Sequence, residues 1–161
     1  MKLELKEKKV FISGSSKGIG LAIAEGFLEE GAQVILNGHN QIRLSQEENR
    51  LKKLYPGKVY SVLGDLTTEQ GGAQAKKVIE NIFGSLDVFI ANLGNGRPKN
   101  NNHLEIAEWQ RFYDINVLGT VRLLNCLYPL LKIGQYPNIV LISSIVAKEK
   151  MMAPYGYAAA K

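Results

Sequence analysis

Five short apolar runs punctuate the chain, and each gives way to glycine or polar residues before a stretch with helical spacing or a loop. They are Val10-Phe11-Ile12, Val34-Ile35-Leu36, Val59 to Leu63, Val88 to Ala91 and Ile139 to Ile142, all rich in β-branched residues. Unbroken runs of this kind suit strands covered on both faces. Between the first two, Gly20 to Glu30 carries Leu21, Ala24 and Leu28 at helical spacing and stops at Gly31, a residue suited to a C-cap. Gln41 to Leu54 stops before Pro56, and Glu69 to Phe83 stops at Gly84. A longer helix is expected from Glu105 to Leu131, with Trp109, Phe112 and Ile115 on one side. Strand alternating with helix in this way predicts an α/β fold with a doubly wound parallel sheet and helices on both faces.

Bulk properties narrow the function. At 161 residues, 45% of them hydrophobic, the chain suits one domain with a real core. No apolar run approaches the ~20 residues of a membrane span. The start, Met1-Lys2-Leu3-Glu4-Leu5-Lys6, is too charged for a secretory signal. Cys126 is the only cysteine, which excludes a disulfide framework and a multi-cysteine zinc site. His103 has no metal-ligand companion near it in sequence, so no metal is expected. These features predict a cytoplasmic protein. The net charge of +5 is scattered, apart from Lys6, Lys8 and Lys9, and reads as solvated surface rather than a nucleic-acid footprint.

In open parallel sheets, ligands bind beyond the carboxyl ends of the strands. The chemically distinctive residues fall there: Gly14 after the first run, Gly38 and His39 after the second, Asp65 after the third, Asn92 after the fourth, Ser143 and Ser144 after the fifth. The turn Ser13-Gly14-Ser15-Ser16-Lys17-Gly18-Ile19-Gly20 would let the backbone approach a pyrophosphate, with the N–H groups of the next helix as donors. It is neither a P-loop nor the G-x-G-x-x-G order. The alternative is a tight strand-to-helix turn with no ligand.

Tyr157 and Lys161 stand at i and i+4, on one face of a helix beginning near Pro154. A lysine ammonium there favours the phenolate and lets a tyrosine act as proton donor and acceptor. Ser144 stands thirteen residues before Tyr157. Tyr155 has Ala159 at i+4 and so lacks a cation, while Ser143 should face away from Ser144. Cys126 and Trp109 fit apolar helical stripes and are expected in the core.

With these motifs, the chain resembles the classical short-chain dehydrogenase/reductase family over its whole length. Ser13 stands where the family's Thr-Gly-x-x-x-Gly-x-Gly has threonine, and Ala91-Asn92-Leu93-Gly94 where it has Asn-Asn-Ala-Gly. Asn116, in Ile115-Asn116-Val117, matches its helix asparagine, and Ser144, Tyr157 and Lys161 match its catalytic serine, tyrosine and lysine. The resemblance implies a Rossmann-type NAD(P)-binding domain over 1–161 and interconversion of a ketone and a secondary alcohol. Tyr157 would be general acid/base, Lys161 would hold the cofactor ribose, Ser144 would bond the carbonyl, and Asn116 would anchor a water. Gly14, Ser15, Ser16, Lys17, Gly18, Ile19, Gly20, His39, Asp65, Leu66, Asn92, Gly94, Tyr157 and Lys161 would bind the cofactor. Asp65 and Leu66 would line the adenine pocket, with Asp65 as a helix cap the alternative.

NADP(H) is expected over NAD(H), because Gly38 and His39 stand where an NAD enzyme presents a carboxylate, and Lys17 offers a cation to a 2′-phosphate. The alternative to an enzyme is a catalytically silent NADP(H)-binding regulatory module. Family members continue well past Lys161, so the 161 residues read as a C-terminally truncated domain, lacking the strands and loops that choose a substrate. A homodimer or homotetramer is expected at full length, and a small carbonyl or alcohol as substrate.

Overall fold

A computed structural model describes residues 3–99, 105–149 and 152–161. Its strands are β1 (Lys9–Ile12), β2 (Gln33–Gly38), β3 (Val59–Leu63), β4 (Val88–Ala91) and β5 (Asn138–Leu141). They form one parallel sheet in the order β3-β2-β1-β4-β5. Val10 pairs with Val34 on one side and Val88 on the other, so β1 lies at the centre. The chain turns outward from β1 in both directions, which opens a crevice at the carboxyl ends of β1 and β4.

Among the described residues, six α-helices accompany the sheet: α1 (Gly18–Glu29), α2 (Gln41–Leu54), α3 (Glu69–Phe83), α4 (Ile106–Tyr113), α5 (Gly119–Lys132) and α6 (Tyr155–Ala160). Strand side chains alternate between faces, which gives the central strands two separate cores. Val10, Ile12, Val34, Leu36 and Ile90 pack with Ala24 and Leu28 of α1 and Leu44 and Leu51 of α2. Phe11, Ile35 and Phe89 pack with Ala75, Ile79 and Phe83 of α3 and Leu123 and Leu127 of α5. Gly31 and Gly84 end α1 and α3 at φ of +81° and +68°, values at which a glycine is free of the penalty a Cβ would bring.

Four expectations are corrected. The helix from Glu105 to Leu131 is not continuous, because Asp114–Leu118 forms a π-helical turn between α4 and α5. There the Asn116 side chain takes the Phe112 carbonyl, Nδ2 donating at 2.9 Å, and Gly119 N–H bonds the Asp114 carbonyl instead. The fifth apolar run is not buried: Ile139, Val140 and Leu141 are 43%, 44% and 64% exposed, since β5 pairs only with β4 among the described residues. Trp109 is 38% exposed and packs beside Gly156, and Cys126 is half-buried against Gly72. His103 and residues 100–102 lie outside the described residues. Among the described residues no helix is long and apolar enough to cross a membrane, and no His/Cys/Asp/Glu cluster could hold a metal.

Candidate active site

Polar side chains stitch the carboxyl ends of the strands into a fixed floor. Ser13 Oγ accepts from the backbone N–H groups of Asn92 and Leu93, each at 3.0 Å, and so ties β1 to β4. Asn92 Nδ2 donates to the carbonyls of Ser13 and Gly14 at 3.1 Å. Asn37, at the end of β2, accepts from Gly14 N–H at 2.9 Å and donates to the carbonyls of Val62 and Gly64 at 3.2 Å. Ser15 Oγ donates to Ile12 O at 2.7 Å and accepts from Asn37 N–H at 2.9 Å. Ser15 is therefore turned into the floor, not toward a ligand, and the Asn92 amide protons are spent on backbone. Gly20 serves the same packing: a Cβ there would lie 2.5 Å from Asn92 Nδ2 and 2.7 Å from Gly14 O.

Above this floor lies a cavity of about 390 Å³. Its lining includes Gly14, Ser16, Lys17, Gly18 and Ile19 of the glycine turn, then His39, Asp65 and Leu66. It also includes Asn92, Gly94, Tyr157 and Lys161, so the cavity reaches both ends of the motif series. The α1 N-terminus has no side-chain cap and no acidic residue in its first turn, which leaves its N–H groups for an anion. Gly38 has no room for a side chain, since a Cβ would sit 2.6 Å from Ser16 Oγ. No carboxylate fits at that position. Lys17 and His39 are exposed at the cavity, and so is Arg43, a cavity residue that the sequence reading missed. Its signal was a basic side chain in the first turn of the helix after β2.

Asp65 and Leu66 divide their duties. Asp65 Oδ1 accepts from Thr67 N–H at 3.0 Å and Thr67 Oγ1 at 2.7 Å, while Thr68 is the residue that caps α3. Leu66 lines the cavity but belongs to the hydrophobic core as well.

The Tyr157 ring is packed against Phe112 and the backbone of Gly96; a Cβ on Gly96 would fall 2.9 Å from Tyr157 Cε1. Lys161 Nζ donates to Ile142 O at 3.0 Å, and burial pushes its pKa below the ordinary lysine value. Asn116 is buried, with Oδ1 accepting from Asn95 N–H and Nδ2 donating to Asn95 O, both at 3.1 Å. Its side chain is thus fully engaged with backbone. The two serines are placed differently from expectation. Ser143 lines the cavity and donates to Lys161 O at 2.7 Å, whereas Ser144 is outside the lining, its Oγ accepting from Val146 N–H at 3.4 Å.

The sequence profile of short chain dehydrogenases matches residues 8–161. The chain belongs to the short-chain dehydrogenase family. Two curated relatives come from Bacillus subtilis (strain 168). The uncharacterized oxidoreductase YvrD is 38% identical over 123 residues, covering 76% of this chain and 45% of its own. Glucose 1-dehydrogenase 2 is 37% identical over 118 residues, covering 73% and 46%. This short-chain dehydrogenase chain thus spans just under half the length of those relatives. Among solved structures, L-sorbose reductase from Gluconobacter frateurii, complexed with NADPH and L-sorbose, superposes with a TM-score of 0.86 at 30% identity, covering 96% of this chain and 59% of that one. The short-chain dehydrogenase fold is an NAD(P)-binding one, and the glycine turn and uncapped helix fit a dinucleotide.

Proposed function

We propose that the protein carrying this chain is an NADP(H)-dependent oxidoreductase that interconverts a ketone and a secondary alcohol. One observation carries the reading: a single cavity is lined by an uncapped glycine turn with cations beside it and by Tyr157 and Lys161. A nicotinamide held in that cavity would supply or take up the hydride. Tyr157 gives its phenolic proton to the carbonyl oxygen in reduction and takes it back in oxidation. Lys161, as a cation, favours that exchange and holds the ribose. Ser144, whose Oγ accepts from Val146 N–H, keeps its own hydroxyl proton to donate to the oxygen on which charge develops. Asn116 holds the Asn95 backbone beside Lys161, on the path a water relay to solvent would take. Lys17 and Arg43 meet the 2′-phosphate, Arg43 with the forked geometry that suits it.

The same reading covers assembly and setting. Trp109, Tyr113 and Leu118 are exposed along an apolar groove that Gly156 and Ala159 of α6 complete, a surface suited to a homodimer or homotetramer in the cytoplasm.

One observation favours a second reading, a silent NADP(H)-binding module: Ser144 stands outside the cavity lining. Assay of the complete protein against a ketone panel with NADPH and NADH separates the two. NADPH-dependent turnover lost on Tyr157→Phe supports the enzyme, and tight NADPH binding without turnover supports the module.

A further inference from the structure

Glu108 is a carboxylate on α4 that is only 6% exposed and does not line the cavity. Its Oε1 accepts from Arg111 Nε and its Oε2 from Arg111 Nη2, both at 3.0 Å, a bidentate pair one helical turn apart. Each partner also binds the loop that follows β4. Glu108 Oε2 accepts from Lys99 N–H at 3.0 Å, and Arg111 Nη2 donates to Arg97 O at 2.8 Å. The pair therefore clamps residues 97–99 onto α4.

That clamp leads to the tyrosine by two routes. Gly96, next to the clamped segment, lies so close to Tyr157 that a Cβ would sit 2.9 Å from Cε1 and 3.0 Å from Cζ, the carbon bearing the hydroxyl. The Phe112 centroid is 6.0 Å from that of Tyr157, and the Arg111 guanidinium lies 4.4 Å from the Phe112 centroid. The ion pair thus touches both supports of the ring, the loop backbone on the side of Gly96 away from the Asn95–Asn116 bonds and the aromatic neighbour. A buried pair is a weak source of net stability, because desolvation offsets much of the attraction. Its value here is geometric: the four bonds admit one placement of loop on helix.

We infer that Glu108 and Arg111 are positioning residues that hold the Tyr157 phenol at the reacting oxygen through the 97–99 clamp and Phe112. The inference rests on Tyr157 as the general acid/base. A misplacement on the order of 1 Å costs about 10²-fold in rate, so loosening the ring lowers kcat while the dinucleotide, held by the glycine turn, binds as before.

The test is made in the complete protein. Glu108→Gln turns one acceptor oxygen into a donor facing donors and opens the clamp. Because it strands the Arg111 charge, the double variant Glu108→Gln/Arg111→Met, which buries no charge, is measured alongside. The expected result in both is a kcat lowered roughly tenfold or more, with ketone KM and NADPH Kd each within about twofold of the parent. Parent-like kcat in the double variant overturns the inference. So does a parallel loss of kcat, NADPH affinity and folding, which marks the pair as structural. Tyr157→Phe distinguishes the levels: if it keeps turnover, the reading of the site fails, whereas if it is dead while the clamp variants are normal, only the clamp fails.

Discussion

Gly94 and Lys161 compete for the same space: a Cβ on Gly94 would lie 2.8 Å from Lys161 Nζ and 2.9 Å from Asn116 Oδ1. The loop after β4 thus needs a glycine for clearance rather than for its backbone angles. Gly94→Ala should displace the lysine, the more flexible of the two neighbours. Turnover is expected to fall at least tenfold with the fold retained, which steady-state kinetics and thermal melting of the variant check. Unchanged kcat would show that the Lys161 position does not matter.

The alternation of strands and helices was legible because a buried parallel strand and an amphipathic helix impose different periods on apolar residues. Val10, Phe11 and Ile12 show both faces of β1 covered. Composition alone reads Ile139 to Ile142 as a covered strand; only the expectation that β5 lacks its family neighbours leaves it at an open edge, where it is exposed. The π turn was not legible: it depends on Asn116 reaching Phe112 O, a contact that apolar spacing does not encode. At the site, glycines, Tyr157 and Lys161 stood out by type and spacing. A hydroxyl or amide at a strand end serves ligand or floor, and only its partners decide: Ser15 bonds the floor, while Asn92 bonds the floor and lines the cavity too. Arg43 was missed because a basic residue on an exposed helix face resembles any solvated one.

Cofactor choice should rest on Lys17 and Arg43. Lys17→Ala and Arg43→Ala should each weaken NADPH about tenfold or more, as expected for charge-assisted hydrogen bonds worth ~1.5–3 kcal/mol, and leave NADH unchanged. The loss should shrink at high salt, because both side chains are exposed. Titrations of each variant with both cofactors at two ionic strengths check this; equal losses for NADH would point to the shared pyrophosphate instead.

Asp65 and Thr68 should separate ligand binding from helix capping. Thr68 Oγ1 accepts from Gly71 N–H at 3.0 Å, so Thr68→Ala should cost about 1 kcal/mol of stability with NADPH affinity intact. Asp65→Ala should weaken NADPH severalfold. Stability loss without affinity loss at Asp65 would assign it to the turn with Thr67 alone.

Burial lowers the Lys161 pKa, so its charged form is disfavoured by folding. The penalty is present below the lowered folded pKa and disappears as pH rises from there to the ordinary value near 10.4. Lys161→Met should therefore melt at a higher temperature than the parent at pH 7, and the gap should close on approaching pH 10. A gap that widens with pH would reverse the sign. Turnover by this variant should be lost throughout.

The most direct measurement compares Tyr157→Phe with Tyr155→Phe in the complete protein, by kcat with a reducible ketone and by NADPH Kd. Tyr157 lines the cavity, whereas Tyr155 is 61% exposed and does not. Tyr157→Phe should lower kcat by about 10²–10⁴-fold, the usual contribution of general acid–base catalysis, with NADPH Kd unchanged. Tyr155→Phe should stay within a few-fold of the parent. The reverse ranking, or parent-like turnover by Tyr157→Phe, would contradict the account.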